Sequence, residues 1–227
     1  MTATRRIGLL GGTFDPIHTG HLDVARAAQR ELDLTAIHVI PSQVPPHRPQ
    51  PVASAYHRFA MAAIAVVGVR GWRVSDLELR MAPPSYTAHT LRHYHERGYT
   101  PDELFFLIGA DAFEDIHQWH DYPAILSAAR FVVVSRAGYE VRGNSLTQRP
   151  DYQSDRAIFI RAETMDVSSS AIRQARAEGR PIVGLVPPGV QQHIEQHGLY
   201  TPMPPDRRPQ ERRDARAADR LHGESQN

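Results

Sequence analysis

The chain has 227 residues, a length that suits one α/β domain with a sizeable core and a short appendage. It has no cysteine, which excludes disulfides, thiolate metal sites and a cysteine nucleophile, and its formal net charge of +1 provides no bulk attraction to nucleic acid or anionic membrane. Met1 to Arg6 lead into the first apolar stretch without a signal-like region, and no apolar run nears the roughly twenty residues that span a bilayer, so a cytoplasmic protein is expected.

In chain order, Ile7-Gly8-Leu9-Leu10 reads as a short buried strand. A helical pattern with Leu22, Ala25, Ala28 and Leu32 on one face comes soon after. Between them runs Gly11-Gly12-Thr13-Phe14-Asp15-Pro16-Ile17-His18-Thr19-Gly20-His21, which carries the strongest functional signal. It places a glycine turn and two histidines where a strand's carboxyl end meets a helix's amino end, a junction whose free amides and positive dipole suit phosphate. Glycine there lets backbone approach an anion closely, and His18 and His21, three apart, share a helix face. Asp15 is read as fixing the turn ahead of Pro16. A plain structural turn with two solvated histidines is the bland alternative. The complete string favours phosphate chemistry on a nucleotide.

Ala36–Ile40 reads as the second strand, ended by Pro41, and a stiff loop with prolines at 45, 46, 49 and 51 follows. A helix is predicted from Ala55 to Val66, an alternating half-buried strand from Trp72 to Met81, and a helix from Thr87 to Arg97. The continuous apolar runs Glu103–Ile108 and Phe131–Val134 fit central parallel strands. Residues 140–156 are polar and read as a surface loop. Ser168-Ser169-Ser170 reads as a helix N-cap, and the charged, proline-rich stretch 201–227 as a disordered tail after a domain spanning 1–200. Alternating strands and helices imply one α/β domain, a doubly wound parallel sheet with helices on both faces, whose ligands bind beyond the strands' carboxyl ends.

Thirteen histidines invite a metal centre, but the clusters along the sequence do not make one. His93 and His95, near His89, face different sides of their helix, and His117 and His120 flank Trp119 without acidic partners. No metal ligands are assigned.

His-x-Gly-His after Gly-Gly-Thr-Phe-Asp-Pro resembles the signature of the nucleotidyltransferase superfamily, whose fold is Rossmann-like. Further segments resemble, in order, the bacterial nicotinate-nucleotide adenylyltransferases within it: Pro41–Arg48, Pro84-Ser85-Tyr86-Thr87, Gly109-Ala110-Asp111 with Trp119 beyond, Ser135–Tyr139 and Val167–Arg173. The resemblance implies attack by the phosphate of nicotinate mononucleotide on the α-phosphorus of ATP, releasing diphosphate and forming deamido-NAD. It implies ATP as co-substrate with Mg2+, held mainly by phosphates and water, and no tightly bound cofactor. The expected partners are these small molecules, with neither nucleic acid nor membrane, and a homodimer is allowed for.

The resemblance assigns His18, His21 and Arg173 to charge stabilisation. Gly11, Gly12, Thr13, Phe14, Gly109, Asp111, Ser168, Ser169 and Ser170 fall to the ATP side. Ser42, His47, Arg48, Tyr86, Thr87, Trp119 and Arg136 fall to the acceptor side, Trp119 offering a stacking face and Thr87 a partner for the carboxylate. Ser42 stands where the family often has Asn, and Ser170 where it usually has Thr. Without the family pattern, Tyr86 and Trp119 could equally be core aromatics and the serines an ordinary cap. Three rivals stay open: a pantetheine-phosphate or cytidylyl transferase, the same enzyme preferring the amide NMN, and a silent nucleotide-binding protein.

Overall fold

A computed structural model describes residues 5–46, 49–136 and 156–202. Six parallel strands form one sheet in the order β3-β2-β1-β4-β5-β6. They are β1 (Ile7–Gly12), β2 (Ala36–Pro41), β3 (Trp72–Val74), β4 (Leu104–Gly109), β5 (Arg130–Arg136) and β6 (Ala157–Ala162). The helices are α1 (Thr19–Glu31), α2 (Ala55–Val66), α3 (Leu77–Arg80), α4 (Thr87–Glu96), α5 (Ala110–Glu114), α6 (Tyr122–Ala128), α7 (Ser169–Ala177) and α8 (Pro188–Gln196), with a 3₁₀ turn at Ile116–Gln118.

Successive strand residues point to opposite faces, and the core divides accordingly. Leu10, Phe105, Leu107, Val132 and Val134 join Leu22, Ala25 and Ala28 of α1, Met61 and Ala62 of α2, Ile172 of α7 and Val190 and Ile194 of α8. Leu9, Leu104, Phe106, Ile108, Phe131 and Val133 join Leu77, Leu91, Phe113 and Ile125 from α3 to α6. Apolar residues at adjacent strand positions serve two helix layers at once. This is the doubly wound α/β fold that the apolar runs predict.

Strand order reverses between β1 and β4, which pair from Ile7↔Leu104 to Leu10↔Leu107. Their carboxyl ends, Gly11-Gly12 and Gly109, therefore border the crevice where such sheets bind ligands. Helix α2 keeps its predicted bounds, and its cap Ser54 accepts from the His57 amide at 3.3 Å.

Two expectations need correction. Strand β3 ends at Val74 and a helical turn, Leu77–Arg80, replaces the rest of the expected strand. The apolar positions change phase between Val74 and Leu77, and the adjacent Leu77 and Glu78 are both buried by packing of the turn rather than by pairing in the sheet. The glycine turn is also displaced. Gly11 and Gly12 are the last residues of β1, and the left-handed residue is Phe14, at φ 50°. Strand β6 carried no recognised signal. The tail beyond Pro202, His47, Arg48 and positions 140–155 of the expected loop lie outside the described residues. No helix among the described residues is long and apolar enough to cross a membrane.

A buried histidine gives the fold a pH dependence. His38 on β2 is 1% exposed and shares a 2.6 Å hydrogen bond between Nδ1 and the Tyr94 hydroxyl of α4. Burial, helped by the Arg73 charge, lowers its pKa from 6.5 to about 4. As pH falls below 6.5 the unfolded chain takes up the proton first. The stability contribution is therefore complete above that value and is lost progressively down to pH 4, by about 3 kcal/mol at most. Denaturant unfolding at pH 7 and 4.5 should show His38→Gln losing less stability on acidification than the parent. Parallel losses in the two proteins would place the acid sensitivity elsewhere.

Candidate active site

The site begins where β1 ends. The Gly12 carbonyl accepts from the Ser42 amide at 2.9 Å, holding the ends of β1 and β2 together. A Cβ on Gly12 would lie 2.8 Å from the Phe14 ring, so the position must be glycine if Phe14 is to fold back beneath it. Phe14 is buried and meets the His21 ring edge-on, with centroids 5.1 Å apart.

His18 is the N-cap residue of α1 and His21 the third residue of the helix. The His18 amide donates to His21 Nδ1 at 3.2 Å, and the rings stack with centroids 3.6 Å apart. This is a capping-box arrangement with an imidazole in place of the usual Glu or Gln. The spacing of three predicts shared orientation, and the structure delivers it. The Thr19 amide, by contrast, donates to the Leu185 carbonyl at 3.0 Å. The helix entry is thus tied to the segment before α8 as well as opening on the crevice.

Helix α7 docks on the same loop. Ser168 caps it, accepting from the Ala171 amide at 3.2 Å, as the serine run predicts. The Ser169 hydroxyl donates to the Pro16 carbonyl at 2.9 Å, Arg173 Nη1 donates to the Asp15 carbonyl at 2.9 Å, and the Ser168 and Ser170 hydroxyls lie 3.0 Å apart. Two segments some 150 residues apart, each read as a phosphate cradle, therefore meet at Asp15–Pro16, the two bonds spanning 153 and 158 residues of chain.

A second bank lies across the crevice. The Gln43 amide donates to the Ser85 hydroxyl and the Ser85 amide to the Val44 carbonyl, both at 2.9 Å, which joins the loop after β2 to the start of α4. Tyr86 caps α4 and Thr87 opens it. Tyr86 is half-buried and stacks on His120 at 4.3 Å between centroids. Trp119, also half-buried, meets Phe106 of β4 edge-on at 6.0 Å. Neither aromatic is fully buried, though Trp119 packs against the core and one face of Tyr86 is taken by His120. Ser42 is buried, Asp111 is exposed in the first turn of α5, and Arg136 ends β5.

Sequence reasoning missed the residues that hold these loops. Arg58 of α2 is 1% exposed and donates to the carbonyls of Thr13 (2.7 Å), Ser42 (2.6 Å), Gln43 (2.9 Å) and Ala53 (3.2 Å). Burial lowers its pKa, and Asp15 and Tyr200 oppose the shift. Asp15 is buried and accepts from the amides of Val52 (2.8 Å) and Ala53 (3.1 Å) and from the Tyr200 hydroxyl (2.8 Å). Burial and the Asp15 charge raise the Tyr200 pKa, keeping that hydroxyl a donor. Asp15 is expected to fix the turn ahead of Pro16; its carboxylate instead ties that turn to Val52, Ala53 and Tyr200.

Two histidines and an arginine gather at the β1–α1 loop, and the loop after β2 that this loop joins is tied in turn to the start of α4. Such a site can neutralise phosphate charge on one side and seat a ring on the other. A group of three candidate metal ligands among the described residues lies elsewhere, at His57, His193 and His197.

A model of the cytidylyltransferase-like family matches residues 9–175. A probable nicotinate-nucleotide adenylyltransferase of Roseiflexus sp. (strain RS-1) is 40% identical over 195 residues, covering 86% of this chain and 97% of the relative. Another, from Tropheryma whipplei (strain TW08/27), is 40% identical over 191 residues, covering 84% and 97%. Among solved structures, Plasmodium falciparum nicotinic acid mononucleotide adenylyltransferase complexed with NaAD matches with a TM-score of 0.67 at 19% identity, over 86% of this chain and 97% of that one. At that identity the likeness speaks for the fold alone.

Proposed function

The chain belongs to the cytidylyltransferase-like family and, within it, to the nicotinate-nucleotide adenylyltransferases, and on that premise we propose that it transfers AMP from ATP to nicotinate mononucleotide, giving deamido-NAD and diphosphate. The observation that carries this reading is the docking of Ser169 and Arg173 onto the Asp15–Pro16 backbone, beside the stacked His18 and His21. These bonds bring the two ends of the matched region together, which supports reading them as one anion-binding site.

The attacking mononucleotide phosphate is already ionised, so no general base is required. The protein's tasks are to bring two anions together in line and to neutralise charge on the departing diphosphate. His18 and His21 donate to the α- and β-phosphates as the bond breaks. The Gly11–Phe14 backbone and the cap of α7, with Ser168, Ser169 and Ser170, hold the phosphate oxygens, and Arg173 supplies counter-charge. Gly109 and Asp111 border the ATP side from β4. On the acceptor side the pyridine ring stacks on Trp119, with Tyr86 beside it, and the carboxylate is received by Thr87 at the amino end of α4. The family resemblance assigns Ser42, His47, Arg48 and Arg136 to that side as well. Mg2+ bound to the ATP phosphates and water would supply charge neutralisation along the triphosphate, beside the roles of His18, His21 and Arg173.

The test is diphosphate release from ATP and Mg2+ with nicotinate mononucleotide, NMN or phosphopantetheine as acceptor. A clear preference for nicotinate mononucleotide is expected. Strong use of NMN would keep the mechanism and overturn the carboxylate pocket at Thr87. Turnover with phosphopantetheine alone, or none despite ATP binding, would overturn the proposed reaction.

A further inference from the structure

We propose that His57, His193 and His197 form a site for one divalent transition-metal ion of the zinc class, which clamps α8 against α2. The ring nitrogens of the three residues lie within 4.8 Å of one another. His57 Nδ1 and His193 Nε2 are 3.1 Å apart, and the ring centroids are separated by 5.3, 4.9 and 4.4 Å. Zinc–nitrogen bonds of about 2.0–2.1 Å at tetrahedral angles set ligand nitrogens about 3.3 Å apart. One pair already stands near that separation, and the exposed His197 has its ring packed against both.

Backbone packing puts these rings together. A Cβ on Gly189 would lie 2.6 Å from Ile64 Cγ2, so the start of α8 presses on the end of α2 where a side chain would not fit. The helices run antiparallel from that contact, and His193, one turn along α8, meets His57, two turns back along α2. His197, at the C-cap, adds the next position on the same face as His193. The cluster therefore sits on two helices already fixed against each other.

The donor set selects the ion. Three imidazoles without thiolate or carboxylate suit zinc, nickel or copper(II), whereas Mg2+ prefers oxygen ligands and keeps its water. Three protein ligands leave a fourth position for water. The clamp would also reach the active-site loop. His57 precedes Arg58, which holds the Thr13 carbonyl, and Tyr200, just beyond His197, holds Asp15.

The experiment uses the full chain, tag-free and stripped with chelator, titrated calorimetrically with Zn2+ and optically with Co2+. Other histidines can bind metal weakly, so His197→Ala and His193→Ala decide the assignment. The expected result is one tight Zn2+ per chain, intense visible Co2+ bands and a higher Tm with Zn2+, with affinity falling about 100-fold in either variant. Unaltered affinity in both variants, or only millimolar binding by the parent, would overturn the proposal. His197 is exposed, so folding of that variant is not at issue, and binding and Tm are read independently of adenylyl transfer.

Discussion

His21→Gln is expected to lower kcat for adenylyl transfer by about 100-fold or more, on the order of 3 kcal/mol, with little change in Tm. The substitution suits the place His21 occupies. His21 is the third residue of α1, and its Nδ1 accepts the His18 amide at 3.2 Å. Gln at that position can reach back to the same amide, as it does in an ordinary capping box, so the helix entry survives. What disappears is the imidazole stacked on His18 and braced by Phe14, the group proposed to donate to the phosphates where charge builds. His18→Ala is less clean, because His18 is 4% exposed and its removal opens a cavity under the loop. Steady-state kinetics and a thermal melt of His21→Gln make the check. A raised KM for ATP at unchanged kcat would limit His21 to ground-state binding and sink its catalytic role.

Periodicity made most of the fold legible. Glu103–Ile108 and Phe131–Val134 read as central strands because both faces of each are covered, and the helix predicted from Ala55 to Val66 forms over those residues. The region after Trp72 misled, because an alternating pattern only records which residues are buried, and Leu77 is buried in a helical turn. The eleven-residue string after β1 and the serine run before α7 were visible because each is a local motif with a local use. Their contact was not, since only the fold brings Ser169 to Pro16. The same holds for the residues behind the site. Tyr200 reaches Asp15 across 185 residues, and nothing near either one signals the pairing. His57 and His193, 136 residues apart, were likewise absent from any histidine cluster seen along the chain.

Arg58→Met should cost folding stability about 3–5 kcal/mol, the scale of several buried carbonyls losing their donor at once. Methionine fills much of the volume of the arginine stem, so the loss reports the guanidinium rather than a void. That guanidinium donates to four carbonyls, those of Thr13, Ser42, Gln43 and Ala53, and its removal leaves acceptors in a region that water reaches poorly. Each buried acceptor left without a donor costs about 1–3 kcal/mol, partly relieved as the loops shift toward water. At about 2–4 °C per kcal/mol for a domain of this size, Tm falls by about 6–20 °C. The same shift should damage catalysis, because the Thr13 carbonyl belongs to the β1–α1 loop and those of Ser42 and Gln43 to the loop proposed to serve the acceptor. Arg58 is thus the bolt between the two banks, and KM for both substrates should rise in the variant that still folds at low temperature. Arg58→Lys separates charge from geometry: one ammonium cannot span four carbonyls, so it should recover only part of the loss. Denaturant unfolding of Arg58→Met within about 1 kcal/mol of the parent would show that the loops hold themselves and that the arginine merely fills space.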